Sequence, residues 1–118
     1  MSSCPTLSTI KDAYHRISGY VHQTPIMTSS ALAKLSSENA GLMSGEIQLY
    51  FKCENLQKTG AFKARGACNA ILLEKEKHGG EHFAGVVTHS SGNHGQAVAW
   101  AALQGVISAM YKEVQFVH

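Results

Sequence analysis

The 118-residue sequence predicts an α/β protein built on a parallel, doubly wound sheet. After a helical lead, short β-rich runs alternate with segments of helical period, in the order helix, helix, strand, helix, strand, helix, strand. Each segment between two such runs is long enough to cross over from one parallel strand to the next. With 44% hydrophobic residues the chain can bury a core, and its length suits one compact domain.

The first helix is expected over residues 7–20. Ile10, Ala13, Tyr14 and Ile17 share one face, Thr6, Ser8 or Thr9 can cap it, and Gly19 stands near its end. HQTPIM then breaks the period, because Pro25 fixes its own φ and pushes Thr24 out of the α region. Thr28, Ser29 and Ser30 are candidate caps for a second helix with Ala31, Leu32 and Leu35 on its apolar face. Serine, glycine and asparagine over residues 36–45 read as a loop. In IQLYFKC, Ile47, Leu49, Phe51 and Cys53 alternate with Gln48, Tyr50 and Lys52, which is strand periodicity with one greasier face. Gly60 closes the next connection, and residues 61–77 read as a helix with Ala67, Ala70, Ile71 and Glu74 three and four apart. HGGEH is a breaker, FAGVVT a short strand and SSGNHG a glycine-rich turn. Residues 96–104 are expected to form an alanine-rich helix whose small side chains permit close packing against a sheet; Gly105 stops it and VISAMY starts another strand.

Charge and cysteine usage narrow the classes of partner. Ten Lys and Arg against eight Asp and Glu give a net charge of +2, with no basic patch able to track a nucleic-acid backbone. Cys4, Cys53 and Cys68 lack C-x-x-C spacing and read as free thiols of a reducing compartment, which favours the cytoplasm; Cys53 and Cys68 are expected to be buried and inert. The opening MSSCPTLSTIKDAYHRI has no charged region leading into an apolar one, and no run reaches the roughly 18 apolar residues of a bilayer crossing. Both secretion and membrane insertion are disfavoured.

Ligands of open α/β sheets gather beyond the carboxyl ends of the strands, where ENLQKTGAFK and HSSGNHG are expected. In the second loop, Ser90, Ser91, Gly92, Asn93, His94 and Gly95 make a strand-to-helix turn whose first N–H groups suit an anion or a partly negative oxygen. Two readings stand: Ser91 caps the helix while Gly92 and Gly95 relieve crowding, or the turn holds a ligand. Neither G-x-G-x-x-G nor G-x-x-x-x-G-K-S/T occurs. His89 and His94 bring no third ligand at zinc spacing, so a hydrogen-bonded scaffold role is expected of each. In the first loop, Lys63 follows Phe62 at the opening of a helix, where the helix dipole disfavours a positive charge. A neutral amine there is what a Schiff base requires. The plainer reading takes Lys58, Lys63 and Arg65 as solvated helix-start residues.

Taken together, FKCENLQKTGAFKARGACNAI, the later THSSGNHGQAVAWAA and the upstream HQTPIMTSSAL resemble pyridoxal-phosphate enzymes of the tryptophan-synthase β-like fold, within them the serine racemase and threonine dehydratase group. The resemblance implies a partial parallel αβα sandwich of fold type II. It implies that Lys63 forms the internal aldimine with pyridoxal 5'-phosphate and acts as one base, that Asn93 bonds the cofactor's phenolic oxygen, and that Ser91 is the base on the opposite face. Ser90, Ser91, Gly92, Asn93 and His94 would cradle the substrate carboxylate. The implied activity is interconversion of L- and D-serine, with side β-elimination to pyruvate and ammonia; an L-threonine/L-serine dehydratase shares nearly all of the motifs. Ser29, Ser30, Ala31, Lys58, Thr59 and Gln96 match nucleotide-binding positions of the animal-type racemases, whereas Lys11 stands where they carry an acidic contact. Thr88 resembles a backbone contributor to a metal position. ATP and Mg2+ are thus implied as activators, and a homodimer as the full-length assembly.

The resemblance covers residues 11–109 and departs from the family pattern at MYKEVQFVH. Residues 110–118 are expected to be a divergent tail, and residues 1–118 a truncated N-terminal portion without the phosphate-wrapping loop, the residue facing the pyridine nitrogen and the acidic metal ligands. The expected activity of such a chain alone is nil or trace. A further expectation is a non-catalytic fragment that associates with a full-length subunit.

Overall fold

The computed structural model describes residues 4–78, 85–90 and 92–106. They fall into two compact units, Thr24–Glu54 and the pair of segments Met1–Gln23 and Asn55–His118.

In the two-segment unit, helix α1 (Leu7–Ile17) begins at a capping box, with Thr9 N–H donating to Thr6 Oγ1 and Thr6 N–H to Thr9 Oγ1. Two short 3-10 turns, Glu54–Leu56, at the boundary between the units, and Lys58–Gly60, lead to helix α3 (Lys63–Lys77), and α4 (Asn93–Ala101) runs on into a π-type turn over Ala102–Val106. Helix α3 packs against both α1 and α4. Their core is Ile17, Ala67, Cys68, Ile71, Ala97, Val98 and Ala101, flanked by Tyr20, Val21, Leu72, Val86 and Trp100. Alanines at 64, 97 and 101 are fully buried, and the small side chains of α4, expected against a sheet, pack among the described residues against α3 instead. At the edge of this core, Arg16 Nε donates to both carboxylate oxygens of Glu76 at 3.1 Å and its Nη1 to Asn69 Oδ1 at 2.9 Å, tying α1 to α3.

In the other unit, β1 (Ile26–Thr28) pairs antiparallel with β2 (Tyr50–Lys52) in the register Ile26 with Lys52, Met27 with Phe51 and Thr28 with Tyr50. Cys53 N–H extends the ladder to the Pro25 carbonyl at 3.0 Å. Between the strands lies α2 (Ser30–Asn39), capped by Ser29, whose hydroxyl accepts from Leu32 N–H. Ser37 is fully buried; its hydroxyl donates to the Ala33 carbonyl at 3.0 Å and accepts from Ile47 N–H at 3.1 Å.

The mixed α/β architecture of a partial fold-type-II domain stands, and six details of the expectation are corrected. The sheet among the described residues is antiparallel, and β1 forms from IMT, within the stretch read as a break; proline cannot continue a helix, but the Pro25 carbonyl accepts from Cys53 N–H at the start of the ladder. Only Tyr50–Lys52 of IQLYFKC pairs, and residues 85–88 of FAGVVT form no strand, because a strand exists only where a neighbour completes its hydrogen bonds and none does so here among the described residues. Helix α2 continues to Asn39 through residues read as loop, its buried Ser37 satisfying its own hydroxyl. Val106 lies in the π-type turn rather than a strand; the rest of VISAMY, with residues 83 and 84, lies outside the described residues.

Candidate functional site

Lys63 is the first residue of α3, and Phe62, at the cap position, offers no side-chain hydrogen bond to the helix start. The Lys63 side chain is exposed, and its Nζ lies 5.1 Å from the centroid of the Phe62 ring. Among the described residues nothing encloses the amine. The approach to it is built of unusual backbone: Thr59 has φ of 58° and Gly60 of 69°. Glycine adopts the left-handed region freely, but a β-branched threonine does so at a cost of order 1–3 kcal/mol. The Thr59 hydroxyl oxygen is buried and has no hydrogen-bond partner among the described residues.

The three cations of KTGAFKARGA therefore differ. Lys63 is exposed, Lys58 is half-buried, and Arg65 is half-buried with its Nη2 donating to the His22 carbonyl at 3.3 Å. The solvated reading fits only the first by exposure. Gln57, which sequence reasoning missed, is 4% exposed and bonds the His22 backbone on both sides. The only trace in the sequence is a glutamine amid NLQKTG; its partner lies 35 positions away.

The second turn leads into α4, which packs against α3 and against the Lys58–Gly60 turn. Gly92 occupies the cap position, its N–H donating to Ser90 Oγ at 3.3 Å. The first return bond of the helix is Gln96 N–H to the Gly92 carbonyl, which leaves the N–H groups of Asn93, His94 and Gly95 without partners among the described residues. A Cβ at Gly95 would come within 2.7 Å of the Ser90 carbonyl oxygen, so the turn closes on itself only with glycine there. Ser91 lies outside the described residues. Asn93 and His94 are exposed, as is His89, and neither histidine makes a side-chain hydrogen bond among the described residues. The scaffold role expected of the two histidines is thereby corrected: the turn directs both rings outward.

Of the other expected positions, Lys58, Thr59 and Gln96 belong to the two-segment unit. Ser29, Ser30 and Ala31 belong to the other unit, where Ser30 and Ala31 line an open groove of about 480 Å³ with Ala33, Lys34, Ile47 and Gln48. Thr88 is half-buried. Among the described residues no three His, Cys, Asp or Glu side chains cluster to hold a metal ion, and no helix is long and apolar enough to cross a membrane.

An exposed amine at the start of α3 and three amides at the start of α4 without partners among the described residues are groups that an aldehyde bearing a phosphate and a carboxylate-bearing substrate require. The residues present fit pyridoxal phosphate in that sense. Residues 17–107 match the family described as pyridoxal-phosphate dependent enzyme, and the chain belongs to that family. Among its relatives, the serine racemase of Dictyostelium discoideum is 53% identical over 97 residues, covering 82% of this chain and 26% of that protein. Two solved structures are also similar. A pyridoxal 5'-phosphate-dependent aspartate racemase has a TM-score of 0.74 and 52% identity, over 86% of this chain and 29% of that one. A threonine deaminase has a TM-score of 0.61 and 40% identity, over 83% of this chain and 30% of that one. The chain thus spans between a quarter and a third of the length of these relatives.

Proposed function

We propose that the protein to which this chain belongs is a serine racemase that interconverts L- and D-serine, with side β-elimination to pyruvate and ammonia. The similarity to the Dictyostelium discoideum serine racemase across both loops carries this reading. Pyridoxal phosphate, when bound, would supply the electron sink that stabilises negative charge on the substrate α-carbon. Lys63 would hold the cofactor and serve as base on one face of the substrate, and the Ser91 hydroxyl would return or remove the proton on the other. Asn93 would donate to the cofactor's phenolic oxygen. The backbone amides opening α4, with Ser90, Gly92 and His94, would orient the substrate carboxylate, a role supported by the lack of partners for the Asn93, His94 and Gly95 amides among the described residues. An L-threonine/L-serine dehydratase is the alternative, favoured by the likeness to threonine deaminase.

For the full-length protein the same proposal includes a homodimer activated by Mg2+ and ATP. The Thr59 hydroxyl, buried beside Lys58 and without a partner among the described residues, favours a polar ligand there, and Thr88 is the backbone position proposed for a metal. A cytoplasmic setting is supported by three free cysteines.

For the 118-residue chain alone we propose nil or trace turnover, since positioning of cofactor and substrate decides rate and the chain spans only about a quarter of its relative. Titration of the chain with pyridoxal phosphate should give an absorbance near the visible edge that Lys63→Ala abolishes. An undiminished band in that variant would overturn the lysine assignment, and robust serine turnover by the chain would overturn its inactivity.

A second reading is association with a full-length subunit. Ile26 at 63%, Met27 at 59%, Tyr50 at 66% and Phe51 at 43% exposure leave both faces of a two-stranded sheet apolar and uncovered within its unit. Co-elution after mixing with the intact protein is the measurement that tests it.

A further inference from the structure

The geometry points to Gln57 as the residue that positions Lys63, an inference that rests on Lys63 being the cofactor lysine. Gln57 Oε1 accepts from His22 N–H at 2.8 Å and from Lys58 N–H at 2.9 Å, while Nε2 donates to the His22 carbonyl at 2.8 Å. One buried amide therefore satisfies both backbone groups of a residue remote in sequence and the first amide of the turn that leads to Lys63. The Gln57 carbonyl in turn accepts from Gly60 N–H at 2.8 Å, closing that turn. On the other side of Lys63, Arg65 Nη2 donates to the same His22 carbonyl at 3.3 Å. The lysine is thus bracketed, six positions after Gln57 and two before Arg65, by side chains that meet at one carbonyl oxygen.

Such bracketing is needed because the intervening backbone does not hold itself. Thr59 and Gly60 are both in the left-handed region, with φ of 58° and 69°, and a β-branched residue keeps that conformation only when its surroundings impose it. Glutamine alone meets the requirement at position 57. Asparagine is a methylene too short, glutamate lacks the donor for the His22 carbonyl, and an apolar side chain would take the acceptor from the His22 and Lys58 N–H groups and leave the His22 carbonyl to Arg65. Release of the amide would let the turn relax and would shift the start of α3, moving the amine by the ångström-scale displacements to which positioned reagents are sensitive.

The test compares the parent chain with Gln57→Leu and Gln57→Glu. Each is incubated with pyridoxal phosphate, the lysine–pyridoxal adducts are trapped with borohydride, and mass mapping gives the labelling of Lys63 relative to exposed Lys34 on the other unit. Amide hydrogen exchange of His22, Lys58 and the interior of α3 is read in parallel. The parent should label Lys63 preferentially and protect His22 and Lys58. Gln57→Leu should lose both protections and about tenfold of the preference, and Gln57→Glu, which keeps the acceptor, should fall between. Any variant that keeps α3 protected and labels Lys63 as the parent does overturns the positioning role. So does a parent in which the His22 and Lys58 amides exchange as fast as in an unstructured peptide. No preference for Lys63 in the parent overturns the cofactor lysine as well, and protected amides would then mark Gln57 as a residue of the fold alone.

Discussion

Cys68 sits in the core of α1, α3 and α4 with 1% of its surface exposed, and burial pushes its thiol above the ordinary value of 9.0. The native state therefore holds this proton at a pH where the unfolded chain has released it. Above the ordinary thiol value the unfolded state binds fewer protons, so stability falls as pH rises, and it is fully present below that value. The urea midpoint of the chain should drop between pH 8 and pH 10, and Cys68→Ala should flatten the drop. An equal slope in parent and variant would show the thiolate accommodated in the fold. The burial was legible in sequence, since a cysteine at helical spacing from Ala64 and Ile71 falls on their face. Gln57 was illegible for the opposite reason: a polar residue beside a glycine-rich turn looks solvent-bound until the fold brings His22 to it.

Helix α1 shows what an element inherits from local signals and what it does not. Its start is local: the Thr6 and Thr9 hydroxyls and amides satisfy one another, and Thr6→Ala should destabilise the two-segment unit by about 1 kcal/mol, read as a lower thermal midpoint. An unchanged midpoint would mean that water caps the helix as well as threonine does. Its burial is not local. The period put Ile10, Ala13, Tyr14 and Ile17 on one face, yet only Ile17 is buried, while Ile10 is 55% and Tyr14 51% exposed. A helical period fixes which residues share a face and leaves open how far along that face a partner extends. The same distinction governs the strands. Alternation in IQLYFKC marked the right segment, but pairing direction depends on what lies alongside, and β1 approaches antiparallel from a stretch of three residues too short to carry a period.

At the scale of the whole molecule, helices were placed within a few residues while the antiparallel β1–β2 pair among the described residues was not foreseen, because helix hydrogen bonds close within the segment and strand hydrogen bonds do not. The two turns of the candidate site were legible as turns leading into helices from their glycine placement. Their outward-facing histidines and the bracketing of Lys63 were not, being settled by tertiary contacts. The uncovered apolar surface has its own consequence. Leu7, Ile10 and Tyr14 on α1, and separately the β1–β2 sheet, expose large side chains at half or more of their area in most cases. Mixing with the intact subunit should give co-elution at a fixed ratio; a monodisperse monomer that ignores the intact protein would refute association.

Thr59 keeps a branched side chain in a left-handed turn and hides a hydroxyl that bonds nothing among the described residues. Glycine would relieve both penalties at that position. An optimiser rewarding heat tolerance alone would overwrite residue 59 early, and a library screened for thermal survival would drift away from threonine there, whatever that oxygen serves.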